Sequence, residues 1–155
     1  MEIKDIEKIA KSVLVENGSH ERQFMFVSPD GKYENVLIEK HSDFSETLVL
    51  KYIREYIKTN KIDKYYMMFE SWMGKNKNVR PSEDSEKREA LCILEFNKDG
   101  KNKQVFQFFK RVKKKIIFEE RIAELDYKNS ATKFDFFKSE DEIQKNMDKL
   151  MRMNI

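Results

Sequence analysis

The sequence predicts an α+β fold: a mainly antiparallel sheet of about five strands with helices packed on it, in the order α-β-β-α-β-β-β(-β)-α. Three observations carry that reading. Apolar residues recur at helical spacing near the start, around residue 50 and at the C-terminus. Between these stretches lie short runs rich in aromatic and β-branched residues, separated by Gly-containing turns. Finally, 12 Phe, 6 Tyr and one Trp in 155 residues supply a core despite a charged fraction of 38%.

The first helix is expected from about Ile3 to Glu16, because Ile3, Ile6, Ile9, Ala10, Val13 and Leu14 form one stripe and Gly18 ends it. Gln23–Val27 and Tyr33–Ile38 flank Pro29-Asp30-Gly31, whose Pro presets φ and whose Gly accepts positive φ, so they read as a hairpin. Asp43 with Glu46 three residues on resembles an N-terminal cap, and Leu48, Val49, Tyr52, Ile53, Tyr56 and Ile57 carry a second helix to about Thr59. Tyr65–Trp72 and Glu89–Phe96 are apolar on both faces and belong near the middle of the sheet. Lys98-Asp99-Gly100-Lys101 turns the chain into Gln104–Val112, and Lys113-Lys114-Lys115 separates that strand from Ile116–Ile122, either as a hairpin or as one bent strand. Ser139-Glu140-Asp141-Glu142 matches a capping box ahead of Ile143, Met147, Leu150 and Met151, a C-terminal helix.

No repeat, low-complexity tract or linker divides the chain, so residues 1–155 read as one domain, large enough to bury about two-thirds of its unfolded surface. Roadblock-like and profilin-like domains share this element order, but topology alone does not fix function. Cys92, the single cysteine, lies in the apolar run Ala90–Leu94 and reads as a buried thiol. The acidic, alternating N-terminus is unlike a signal peptide and no segment reaches the length of a membrane span, which implies a cytoplasmic protein without membrane contact.

The densest chemistry lies between residues 70 and 89. Glu70-Ser71-Trp72-Met73 is followed by Arg80-Pro81-Ser82-Glu83-Asp84 and then by Arg88-Glu89 ahead of an apolar strand. This segment resembles a pattern in an uncharacterised family of small bacterial proteins, Glu-Ser/Ala-Trp-Met with Arg-Pro-Ser-Glu-Asp and a basic residue before Glu; the resemblance implies no activity. Physically, Arg80 and Arg88 can pair with Glu70, Glu83, Asp84 or Glu89 and brace the loop. The same groups, with Trp72 as a wall, make a binding surface. In a hydrolytic reading Glu70, Asp84 and Glu89 would hold a divalent cation while Arg80 or Arg88 held a phosphate, although no Asp-x-Asp pair accompanies them.

A second candidate is the stretch from 101 to 115. Lys101, Lys103, Lys110, Arg111, Lys113, Lys114 and Lys115 lie there without any acid, whereas the whole chain carries only +3. Such a segment could neutralise nucleic-acid phosphates, with Phe106, Phe108 or Phe109 stacking on bases, or it could be a solvated strand edge. Consecutive Phe108 and Phe109 must point to opposite faces, so at least one is expected in the core.

His20 and His41, at the two ends of the first hairpin, lack the further ligands of a zinc site and read as surface residues. Four glycines, no Gly-x-Ser-x-Gly and no nucleophile-base pair leave no phosphate loop or triad, and no metal or cofactor is assigned. The reading that follows is a small non-enzymatic interaction module with a protein partner or a second copy of itself, its contact surface including the 73–88 loop and the neighbouring sheet. Nucleic-acid binding through 101–115 and a metal-dependent phosphoesterase or nuclease are the alternatives.

Overall fold

A computed structural model describes residues 2–37, 43–74, 83–127 and 134–153. It contains α1 (Ile3–Asn17), β1 (Gln23–Val27), β2 (Tyr33–Leu37), α2 (Asp43–Thr59), β3 (Lys64–Met73), β4 (Arg88–Asn97), β5 (Asn102–Val112), β6 (Lys115–Tyr127) and α3 (Glu140–Met153). The strands form one antiparallel sheet in the order β2-β1-β3-β4-β5-β6. The α+β class and the element order are as expected, the optional last strand being present as the sixth.

Both faces of the central strands are covered, which explains their apolar character on both sides. On one face, Ile3, Ile6, Ala10 and Leu14 of α1 pack against Met25, Tyr66, Met68, Leu91, Ile93, Val105 and Phe109. Each buried Ile or Leu there contributes about 1.5–3 kcal/mol of burial free energy. The helix starts where the Glu2 N–H donates to the Asp5 carboxylate at 2.8 Å. It stops at Gly18, whose φ of 73° turns its N–H back to the Leu14 carbonyl at 2.8 Å.

On the opposite face Phe24, Phe26, Tyr65, Met67 and Phe96 meet Ile53 and Ile57 of α2 and Phe136. Tyr65 is fully buried, and its hydroxyl is satisfied twice: it donates to the Phe134 carbonyl at 2.5 Å and accepts from the Phe136 N–H at 2.8 Å. The chain segment ahead of α3 is thereby pinned to the sheet. Burial raises the Tyr65 hydroxyl pKa well above its ordinary value, so it remains a donor.

The segments on either side of Lys113–Lys114 form a hairpin, with Val112 opposite Lys115. Lys113 and Lys114 both take positive φ, 50° and 66°, the backbone that a two-residue hairpin turn demands. β6 runs to Tyr127, beyond the expected end at Ile122, because β5 pairs with it along nearly its whole length. A bulge interrupts the pairing: Phe109 faces Phe118 and Gln107 faces Arg121, so Glu119 and Glu120 together oppose Phe108. The buried Gln107 amide donates to the carbonyls of Glu119 at 2.9 Å and Glu120 at 3.2 Å, supplying partners that the ladder withholds. Among the described residues no helix is long and apolar enough to cross a membrane.

Candidate functional site

Strand alternation sorts the charged residues of 70–89. Trp72 pairs with Glu89 and Glu89 with Phe109, so Glu70, Trp72, Glu89 and, two residues past Phe109, Arg111 share the face that carries α1. Arg111 is the hub of this group. Its Nε lies 3.1 Å from Glu89 Oε2, its Nη2 lies 3.1 Å from Glu70 Oε1, and its Nη1 donates to the Gly18 carbonyl at the end of α1. Glu70 Oε1 also accepts the His20 N–H at 3.2 Å. One guanidinium therefore ties β5 to β3, β4 and the α1 terminus, with the Phe109 ring 5.3 Å from it.

Two side chains have partners that the sequence reading did not name. Arg111, grouped by sequence with the phosphate-binding cations, is occupied by two carboxylates. Arg88, expected among Glu70, Glu83, Asp84 and Glu89, points to the opposite face because it neighbours Glu89 on an alternating strand. There it lies 4.0 Å from the Phe108 ring and pairs with Glu120 and, at 3.6 Å, with Glu119 of β6. Asp84 is buried in the turn before β4, where its Oδ1 accepts the Glu86 N–H at 2.9 Å and its carbonyl accepts the Lys87 N–H at 3.1 Å. Glu83 is exposed beside it. Trp72 is 40% exposed with the Lys87 ammonium 4.8 Å from its ring. Arg80, Pro81 and Ser82 lie outside the described residues.

Glu70 and Glu89 thus face a cation of the protein's own, and Asp84 serves a turn. Among the described residues no group of three His, Cys, Asp or Glu side chains is placed to hold a metal ion. His20, expected at the surface, is only 5% exposed. Its Nδ1 lies 2.7 Å from the Glu21 carbonyl, and its Nε2 finds no partner among the described residues. The bond from its backbone to Glu70 draws this loop under the Arg111 network, a long-range contact that local sequence cannot signal. His41 lies outside the described residues.

The basic stretch divides in two. Lys103, at one end of β5, lies 3.9 Å from the buried Glu95 carboxylate, which Lys64 approaches at 4.0 Å and the Asn97 amide at 2.9 Å. Tyr66 completes this cluster, its hydroxyl pKa raised by burial and by the Glu95 charge and hydrogen bond. Lys101 is exposed in the preceding turn. At the other end Lys110, Lys113, Lys114 and Lys115 are all exposed, and no ion pair among the described residues involves them. Phe108 and Phe109 point to opposite faces and are both buried, and Phe106 is half-buried. The rings therefore do not form an open stacking platform.

An apolar row that the sequence reading did not single out lies on the face opposite α1, buried at β4 and exposed at its β6 end. Phe69, Cys92, Phe106 and Ile122 form one row across β3, β4, β5 and β6, with Met73, Ala90 and Phe108 packed alongside. Ile122 and Ile117 at its β6 end are 43% and 41% exposed. Their exposure follows from β6 being an edge strand, which strand order alone decides. Cys92 within this row is buried, and burial pushes its thiol up to about 12. At the C-terminal helix Met147 is exposed and, with Leu50, Arg54 and Ile143, lines a groove of about 240 Å³ between α2 and α3. The side chains of Leu150, Met151 and Met153 lie outside the described set.

Comparison with models of protein families, with curated proteins and with solved structures finds no match.

Proposed function

We propose that this chain is a non-enzymatic interaction module that associates with a second copy of itself through the apolar row on the face opposite α1. The observation that carries the reading is the contiguity of Phe69, Phe106 and Ile122 out to the sheet edge, with Ile122 and Ile117 more than two-fifths exposed. The rim favours a like partner. Arg88 with Glu119 and Glu120 presents both signs of charge at one place, so two copies related by a two-fold axis can set the Arg88 of each against a carboxylate of the other. The ionisable groups of 70–89 support the same reading from the other side: Glu70, Glu89 and Arg111 satisfy one another and hold the sheet end rigid. Sedimentation velocity over a concentration series tests it. A dimer is expected that Ile122→Lys disperses while circular dichroism stays unchanged; a strict monomer at every concentration overturns the reading.

A further inference from the structure

We infer that the turn end of the β5–β6 hairpin, which borders the apolar row where Lys110 stands opposite Ile117, docks on the phosphates lining the major groove of double-stranded DNA. Four ammonium groups, those of Lys110, Lys113, Lys114 and Lys115, lie within six residues of chain. They are exposed and have no ion pair among the described residues, while four acids of the neighbouring strands are already held: Glu70 and Glu89 by Arg111, Glu119 and Glu120 by Arg88. The positive charge at this tip is therefore uncompensated by the protein itself.

The second observation is the backbone. Lys113 and Lys114 both sit at positive φ, where Asn-Gly is the least costly pair and an L side chain is disfavoured. Two long cationic side chains kept at the two positions where a side chain is least welcome indicate that the charges serve a purpose other than the turn.

The shape selects the partner. A two-stranded ribbon fits the major groove of a duplex, and Lys110 and Lys115, each opposite an aliphatic residue (Ile117 and Val112), point from one face of it. A single strand would need a row of open rings to stack on, whereas Phe108 and Phe109 are buried and Phe118, the exposed ring of this hairpin, has the Lys11 ammonium 5.4 Å from its centroid. A hairpin inserting into a lipid surface would carry apolar residues at its turn, whereas this turn is Lys-Lys.

Fluorescence anisotropy with a labelled mixed-sequence DNA duplex, a single strand of the same length and vesicles containing phosphatidylserine tests the inference. Binding is expected to be tightest to the duplex, with a log-log salt slope of about −3 to −4 from four phosphate contacts. Lys113→Glu/Lys114→Glu should weaken it at least tenfold at low salt. Lys113→Asn/Lys114→Gly, which suits the turn and keeps the hairpin, should weaken it as well. Lys58→Glu on α2, an equal change in charge to the Asn/Gly pair, should leave it unchanged. No duplex binding at low salt, equal loss from Lys58→Glu, or preference for the single strand or the vesicles overturns the inference.

Discussion

Arg121 of β6 grips Glu7 of α1 through two parallel hydrogen bonds, Nε to Oε2 at 2.8 Å and Nη2 to Oε1 at 2.8 Å, and Lys11 joins the same carboxylate at 2.8 Å. Glu7 is 5% exposed, so this pair fastens the helix to the edge strand from beneath. Burial alone would push the Glu7 carboxyl up, but the hydrogen bonds and charges of Arg121 and Lys11 outweigh it and hold the group below the usual carboxylate range. The folded state binds the proton more weakly than the unfolded chain. The stability from this pair is therefore complete above the unfolded value of about 4.3 and is lost as pH falls through the lower folded value. Urea unfolding at stepped pH should show wild type losing stability faster than Glu7→Gln between about pH 5 and pH 3. Parallel pH curves would show that Glu7 does not contribute this dependence.

The Arg111 fork should resist conservative replacement. A lysine ammonium cannot reach Glu70, Glu89 and the Gly18 carbonyl at once, so Arg111→Lys is expected to cost about 1–2 kcal/mol in chemical denaturation. In a double-mutant cycle, Arg111→Met with Glu70→Gln should give a coupling of about 0.5–1 kcal/mol, a modest value because both groups are partly exposed. Strictly additive losses would mean that the two side chains do not act together.

Lys113→Asn/Lys114→Gly should raise thermal stability, by about 1–2 kcal/mol at the midpoint, by relieving two left-handed non-glycine residues. Differential scanning calorimetry measures it. An unchanged or lower midpoint would show that the turn tolerates lysine without cost.

Cys92 should be inert toward a thiol reagent in the native protein, because burial both shields it and pushes its pKa up to about 12. Labelling is expected only at the rate of unfolding, rising with urea. Rapid labelling without denaturant would place the thiol at an accessible surface.

Much of the architecture was legible in the sequence because the α1 stripe repeats at helical spacing, and because the two-sided run at Tyr65–Met68 is short and aromatic, as a central strand is. Strand alternation also foretold that Phe108 and Phe109 would diverge. What sequence could not supply was the order of strands. That order decides that β6 is an edge, that Ile117 and Ile122 meet solvent, and that Arg111 lands between Glu70 and Glu89, residues 41 and 22 positions away. The Lys-Lys hairpin was obscured for a local reason, since neither lysine is a residue that ordinarily signals a left-handed turn.

The extra residue at Glu119–Glu120 sets the phase of β6 from Arg121 to Glu124, where a second register shift follows. With it, Arg121 stands opposite Gln107 and under α1, and Ile122 stands opposite Phe106 on the far face. Removing one residue there would invert the remainder of the strand: Arg121 would leave Glu7 for the apolar row, and Ile122 would move beneath the helix. A single amide, that of Gln107, meets both carbonyls of the insertion. Whether Arg121 or Ile122 faces α1 thus turns on one extra step in the ladder and the side chain that holds it in place.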